Sequence, residues 1–318
     1  MKRLPHIVTA VLGLLLLILI MSLANEPEVS AMNQPLIIVL SSSQLEPYLQ
    51  AVKGFKKRVK DQFPEARIDT FFLGQDSTKN LVTMQKIDNN QPDVLFTLGS
   101  KATRKVQTVH PDRPQVVTMI LDGLILEQSK QATGVFLNFP PAVHLNWLRR
   151  LLPNAKRVYL LYNSQENSTL YTEIKKAATV HQLEIYGVPV DTISQLPAAL
   201  NSVGRQADIL LGLPDQTVYS GKTAKVILLS TFRNRIPFAG LSRYWVKAGA
   251  LYALDWDYHD LGRQCGEMTC RILMGDAVSD IAPAPPDKVR YIINMKTADY
   301  LKLTIDPTLV QEAAEVFQ

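Results

Sequence analysis

The sequence predicts an α/β protein of two Rossmann-like lobes, each a parallel sheet with helices on both faces, joined by a hinge that the chain crosses several times. Three observations predict it. Short, nearly unbroken apolar runs such as Leu36–Leu40, Val94–Leu98 and Val158–Tyr162 alternate with longer stretches of helical periodicity, as strands covered on both faces require. Each run ends in a polar loop that feeds the next helix. The second half also repeats the plan of the first: LIIVLSSSQ answers VYLLYNSQ, and PDVLFTLGSKA answers ADILLGLPDQT.

The chain opens on Lys2 and Arg3, then runs uncharged for 17 residues from Ile7 to Leu23, with small-x-small patterns at Ser22-Leu23-Ala24 and Val29-Ser30-Ala31. Residues 1–31 therefore read as a secretory signal peptide, with an uncleaved N-terminal anchor as the alternative. Either way the body is exported to a periplasmic or other extracytoplasmic space. In the first lobe, strand Leu36–Leu40 leads to helix Glu46–Lys60, which carries Pro47 in its first turn and Leu49, Val52, Phe55 and Val59 on one face. Strand Ile68–Leu73, a helix over Leu81, Met84 and Ile87, strand Asp93–Leu98, a helix to Val109 and strand Val116–Ile120 follow. Gly134–Phe139 is extended, and Pro140-Pro141 marks the first hinge crossing.

The second lobe runs through helix Ala142–Leu152, strand Val158–Tyr162, a helix to about Val180, strand Leu183–Val188, helix Leu196–Gln206 and strand Asp208–Gly212. Helix Thr217–Asn234, strand Ile236–Ala239 and strand Gly249–Trp256 complete the alternation. Helix Asp260–Met274, the Pro-rich segment Ala282–Pro286, strand Val289–Asn294 and a short helix near Lys296–Leu301 require two more crossings. The expected lobes are thus discontinuous: residues 32–139 with about 257–282, and residues 140–256 with about 283–318.

Composition narrows the function. The chain has 318 residues, 47% hydrophobic and 20% charged, with a net charge of +5 that includes Lys2 and Arg3. No block of Lys or Arg interleaves with aromatics, which argues against nucleic-acid binding. Cys265 and Cys270 lie five apart on one helix and point about 140° from each other, too far for a bridge within that helix. The five histidines, at 6, 110, 144, 181 and 259, are scattered, so no metal site is expected. The phosphate-cradling Gly motifs, the Gly-x-Ser-x-Gly elbow and His-Glu-x-x-His are all missing, so no catalytic residue and no cofactor is assigned.

The chemistry converges on Val158–Leu170. A buried strand stops at Asn163-Ser164-Gln165-Glu166-Asn167-Ser168, and a helix is expected from about Thr169 through Ile174 and Ala177, capped by Asn167 or Ser168. A strand exit that feeds a helix N-terminus presents free N–H donors and a partial positive charge at the carboxyl edge of the sheet, where small ligands bind. Ser41-Ser42-Ser43 is the matching exit in the first lobe.

Three stretches then carry a resemblance: LLPNAKRVYLLYNSQENS, IPFAGLSRYWVKAGALYALDWDYHDLGRQCGEMTCRILMGD and VRYIINMKTADYLKLTI. From Pro35 to about Asp306 the chain resembles the ABC-transporter substrate-binding protein family that includes aromatic-amino-acid-binding members, with the type I periplasmic-binding fold. The resemblance implies a monomeric, non-catalytic receptor that closes on a small molecule and works with ABC permease and ATPase subunits. By position it implies ligand contacts at Ser41, Ser42, Ser43, Gly99, Ser100, Asp122, Asn163, Ser164, Asn167, Ser168, Pro214, Asp215, Gln216 and Ser242, with Asp257 at the returning crossing. Asp215 or Asp122 suits an ammonium group.

Lys101, with Arg104 one turn on, departs from the small neutral residues expected after the third strand, and Ser242-Arg243-Tyr244-Trp245 is bulkier than the usual small polar run. Both departures open the site to a more anionic ligand. As solvated residues, Lys101 and Arg104 would instead line a helix face, and Asp257 would cap the helix at Asp260. Two rival functions stand beside an importer's receptor. One is a ligand-sensing subunit for a membrane signalling protein; the other is an exported α/β enzyme using Asp215, Asp257 and His259. If the signal is cleaved, mass spectrometry of the exported protein should show a start near Asn25 or Met32; an intact Met1 would favour the anchor.

Overall fold

The computed structural model describes residues 34–318 apart from 75, 76, 122, 128 and 205, and residues 77–79 through their backbone only. The expected signal or anchor and Asp122 lie outside the described residues. Among the described residues no helix is long and apolar enough to cross a membrane.

The first sheet takes strands β1 (Leu36–Ser41), β2 (Arg67–Phe72), β3 (Val94–Leu98), β4 (Gln115–Thr118) and β5 (Ala132–Gly134) in the order β2-β1-β3-β4-β5, all parallel. Its helices are α1 (Glu46–Gln62), α2 (Ser77–Asn90), α3 (Ser100–Val109) and the short α4 (Leu124–Glu127). The alternation of side chains explains why the apolar runs are unbroken. Ile37 and Val39 face Phe55 of α1, which stacks on Phe96 at 3.9 Å. Ile38 and Leu40 face Met84 and Ile87 of α2 and Val106 of α3 on the other side. The extended segment is shorter than expected: β5 ends at Gly134, whose φ of 156° and tight approach to the Val117 carbonyl bar a side chain.

The second sheet has the order β12-β11-β10-β9-β8-β6-β7. Its strands are β6 (Arg157–Tyr162), β7 (Glu184–Pro189), β8 (Ile209–Leu211), β9 (Phe238–Gly240), β10 (Tyr252–Trp256), β11 (Val289–Asn294) and β12 (Glu315–Phe317). The helices are α5 (Pro141–Leu151), α6 (Ser164–Ala178), α7 (Leu196–Val203), α8 (Ala224–Arg233), α9 (Arg243–Lys247), α10 (Tyr258–Leu273), α11 (Met295–Leu301) and α12 (Pro307–Glu312). The sequence did not announce α9, α12 or β12. It also overextended α8, because 217–223 is a run of turns around Ser220 and Gly221.

Every strand pair of this sheet but one is parallel. β10 and β11 pair antiparallel, Trp256 opposite Val289. The cause is where the chain goes between them. It leaves β10 beside Phe139, whose ring stacks on Trp256 at 5.7 Å, and enters α10. That helix packs on α1 of the first sheet, with Leu261 and Cys265 in the same core as Phe55. The chain re-enters at the end it left, so β11 must run backwards. Both cysteines are free and buried on α10.

The contact between α1 and α10 is close enough to be decided by glycine. A Cβ on Gly262 would lie 1.8 Å from the Ala51 carbonyl oxygen, and one on Gly54 would lie 1.9 Å from that of His259. In an isolated helix Gly262→Ala would stabilise by about 1 kcal/mol. Here it should destabilise by about 3 kcal/mol in urea unfolding through forced separation of the helices; a stabilised variant would refute the crossing.

Candidate functional site

In an open α/β sheet the ligand crevice forms where neighbouring strands send their connections to opposite sides. The strand orders put that point between β1 and β3 in one sheet and between β6 and β8 in the other. Ser41–Ser43 and Gly99-Ser100 leave the first pair, and Asn163–Ser168 and Pro214–Gln216 leave the second.

On the first side the serines mostly bond to the chain itself. Ser42 Oγ accepts from Ala102 N at 2.9 Å and so caps α3. Ser41 Oγ donates to the Ser43 carbonyl at 2.7 Å, and Ser43 Oγ accepts from Leu45 N at 3.1 Å. Gly99, at φ 88°, brings its backbone against Ser42 Oγ and the Tyr48 hydroxyl, where a Cβ would sit 2.9 and 3.2 Å from those atoms. Ser100 is exposed at the start of α3, with no side-chain bond to another described residue. Lys101 turns aside: its Nζ donates to the Gly74 carbonyl at 2.6 Å.

On the second side the expected helix start moves. The cap of α6 is Asn163, whose Oδ1 accepts from Gln165 N at 2.9 Å and Glu166 N at 3.1 Å, and neither Asn167 nor Ser168 caps it. Asn163 is the first cap-competent residue after the strand, and Gln165 and Glu166 both favour helix, so the helix begins five residues early. Asn167 thereby becomes a buried residue of α6, its Nδ2 donating to Asp215 Oδ2 at 2.9 Å and to the Pro214 carbonyl at 3.1 Å. Ser168 is exposed and donates to the Ser164 carbonyl.

Asp215 is the node of this side. Its Oδ2 also accepts from Asn163 N at 2.6 Å, and its Oδ1 accepts from Val218 N at 2.7 Å and Thr217 N at 3.0 Å. Glu166, which sequence reasoning passed over, braces the same loop by accepting from Gln216 N and the Thr217 hydroxyl. Its signal was present: an acidic residue three after the cap is the capping-box spacing. Asp191 Oδ1 accepts from Ser164 N at 2.8 Å. Gln216 is exposed and Ser242 half-buried at the α9 cap position, and neither side chain bonds another described residue. Arg243 is drawn off to Glu315, Nε to Oε2 at 2.6 Å.

Between the two sheets the crossings form an aromatic hinge. A cavity of about 70 Å³ is lined by Leu121, Phe139, His144, Pro214, Gly240 and Trp256. His144 meets Phe139 edge-on at 6.1 Å, and burial lowers its pKa to about 4, so the ring is neutral at ordinary pH. At the end of β10, burial raises the Asp255 carboxyl, which bonds Tyr258, and desolvation pushes the Tyr258 hydroxyl up to about 12. Asp257 caps α10, accepting from Asp260 N at 3.0 Å. Asp260 in turn is buried against Arg263 and Lys288. The three groups of an enzymatic site are therefore not assembled as one: Asp215 and Asp257 each organise a separate helix or loop, and His259 lies within α10. No cluster of His, Cys, Asp and Glu able to hold a metal occurs among the described residues.

Residues 38–317 match the family described as ABC transporter substrate binding protein. An uncharacterized protein of Rickettsia prowazekii (strain Madrid E) is 22% identical over 282 residues, 88% of each chain. Among solved structures, an ABC domain in complex with L-Trp from Streptococcus pneumonia is 22% identical, with a TM-score of 0.56 over 89% of this chain and 100% of that one. The ligand-free, open structure of a substrate binding protein with adhesive properties from Clostridium difficile is 21% identical, with a TM-score of 0.73 over 89% and 99%. These likenesses show a shared fold.

Removing the node tests the geometry. Asp215→Ala leaves the Asn163 and Val218 N–H groups buried without their acceptor. Each orphaned donor costs roughly 1–3 kcal/mol, so denaturant unfolding should show a loss of about 3 kcal/mol. A loss below about 0.5 kcal/mol would mean that the loop is not held this way.

Proposed function

The chain belongs to the ABC transporter substrate-binding protein family and has the type I periplasmic-binding fold, and on that premise we propose that it is an exported, non-catalytic receptor. It captures a small polar molecule, amino-acid-like or a small anion, between its lobes and delivers it to the permease and ATPase of an ABC importer. One lobe combines residues 32–139 with about 257–282, and the other the remainder of the body. The observation that carries this reading is the placing of two sets of strand exits at the switch points of two sheets, each opening on a helix of ten residues or more, α3 and α6. The Streptococcus pneumonia domain, in complex with L-Trp, supports an amino-acid-like ligand.

The site divides by what its side chains already do. Asn163, Asn167 and Asp215 shape the jaw, because their polar atoms are engaged within it. Ser100, Ser164, Gln216 and Ser242 carry the ligand contacts, since none of their side chains donates to or accepts from another described residue. Saturated Asp215 supports a binding role over the enzymatic rival, for a general base needs an open lone pair facing its substrate.

A thermal-shift screen of the exported protein against amino acids, nucleosides and small anions tests the reading. A ligand present at a hundredfold excess over its dissociation constant stabilises the folded state by about 2.7 kcal/mol. One chemical class should raise the melting temperature, and Gln216→Ala should shrink that rise while leaving the unliganded melting temperature within about 1 °C. No shift with any class, or a full shift in the variant, counts against capture by these loops.

A further inference from the structure

Tyr48, which sequence reasoning passed over, is brought to the first jaw by the fold. It lies in the first turn of α1, just after an exit whose own hydroxyls are spent. Ser41 and Ser43 bond the backbone beside them, and Ser42 bonds Ala102 N. The Tyr48 ring packs half-buried against the core that holds Phe55 and Phe96. Its hydroxyl reaches the switch point between β1 and β3. There it and Ser42 Oγ both lie within 3.2 Å of the place that a Gly99 Cβ would take. Gly99 thus keeps open a space bordered by two hydroxyl groups, of which only the serine's is engaged. The phenol bonds no described residue, and burial raises its pKa, so it stays neutral and keeps its proton. A phenylalanine would pack the same ring with no polar atom to satisfy, so the fold alone does not account for the hydroxyl.

The second jaw narrows what that hydroxyl addresses. The first-turn N–H groups of α6 are already bonded, Ser164 N to Asp191 Oδ1 at 2.8 Å, and Gln165 N and Glu166 N to Asn163 Oδ1. A ligand carboxylate finds no free backbone donor in that turn, whereas the first jaw holds the uncommitted O–H of Tyr48 beside that of Ser100. We propose that Tyr48 determines specificity in the cleft, its O–H donating to a carboxylate oxygen of the ligand and drawing that end to the first lobe. The inference rests on the receptor reading above and narrows its ligands to carboxylates. A bond from a neutral donor to a charged acceptor is among the stronger hydrogen bonds. The ring is held by the core beforehand, so little side-chain freedom is lost when that bond forms. Tyr258, which opens α10, is near enough for the two phenols to influence each other, and this places the donor at the hinge end of the jaw.

Calorimetry on the exported protein, with the common L-amino acids and small dicarboxylates each set beside its primary amide, tests the donor. The wild type should bind at least one carboxylate, and its amide more weakly. Tyr48→Phe should lose about tenfold or more in affinity for that carboxylate and little for the amide. Its unliganded melting temperature should stay within about 1 °C, because no bond inside the chain is removed. The inference is overturned if the variant binds the carboxylate as tightly as the wild type, or if carboxylate and amide weaken equally. It is also overturned if the unliganded variant melts several degrees lower, since the hydroxyl would then serve the fold. Binding of nucleosides or inorganic phosphate alone overturns it too, and leaves the receptor reading standing. Binding of none of these compounds removes the receptor reading and this inference together.

Discussion

The molecule depends on a backbone crossing without side chains. Gly54 and Gly262 let α1 and α10 approach until carbonyl oxygens occupy the space of a Cβ. That approach fastens α10 to the first sheet although the chain has just left the second. A crossing on either side of α10 and the antiparallel return of β11 follow. The Arg58–Glu267 pair spans the same two helices, Nε to Oε2 at 2.6 Å, but Glu267 is half exposed. Such pairs contribute roughly 0–1 kcal/mol. Burying Leu261 or Phe55 contributes about 1.5–3 kcal/mol each, so packing, set by the glycines, holds the helix in place.

In the second lobe a single carboxylate plays the comparable part. Asp215 accepts from the backbone of Asn163, Thr217 and Val218 and from the side chain of Asn167. A carboxylate with four donors has little capacity left. An ammonium group on the ligand would compete with bonds that the fold already uses. The charge of Asp215 therefore acts inward, fixing the β8 exit against the α6 N-terminus, and leaves that terminus electropositive towards the cleft.

Much of the architecture was legible because strands covered on both faces have no reason to alternate, and Ile37–Leu40 and Val158–Leu161 are buried throughout. The start of α6 was not legible. Asn163 and Asn167 are equally good caps locally, and the choice falls to partners 48 and 52 residues away on Asp215. The direction of β11 was hidden for a related reason. Gly262 and Gly266 read as weak points of a helix until the partner face of α1 is known. Periodicity grouped Lys101 with Arg104, but only the Gly74 carbonyl reveals which way Lys101 turns.

The hinge constrains where binding energy can come from. Its cavity, about 70 Å³ among Phe139, Trp256 and a neutral His144, is far smaller than the roughly 300 Å³ at which small-molecule sites begin. On the proposed reading, a ligand therefore engages the strand exits farther out. A ligand shifts open towards closed only by its differential affinity for the two. Groups that bridge the lobes supply that difference, whereas bonds confined to one jaw are made equally in both states. The Asp215 network belongs to the second kind. Its contribution is to hold the jaw rigid beforehand, so that less conformational entropy is lost when the ligand arrives.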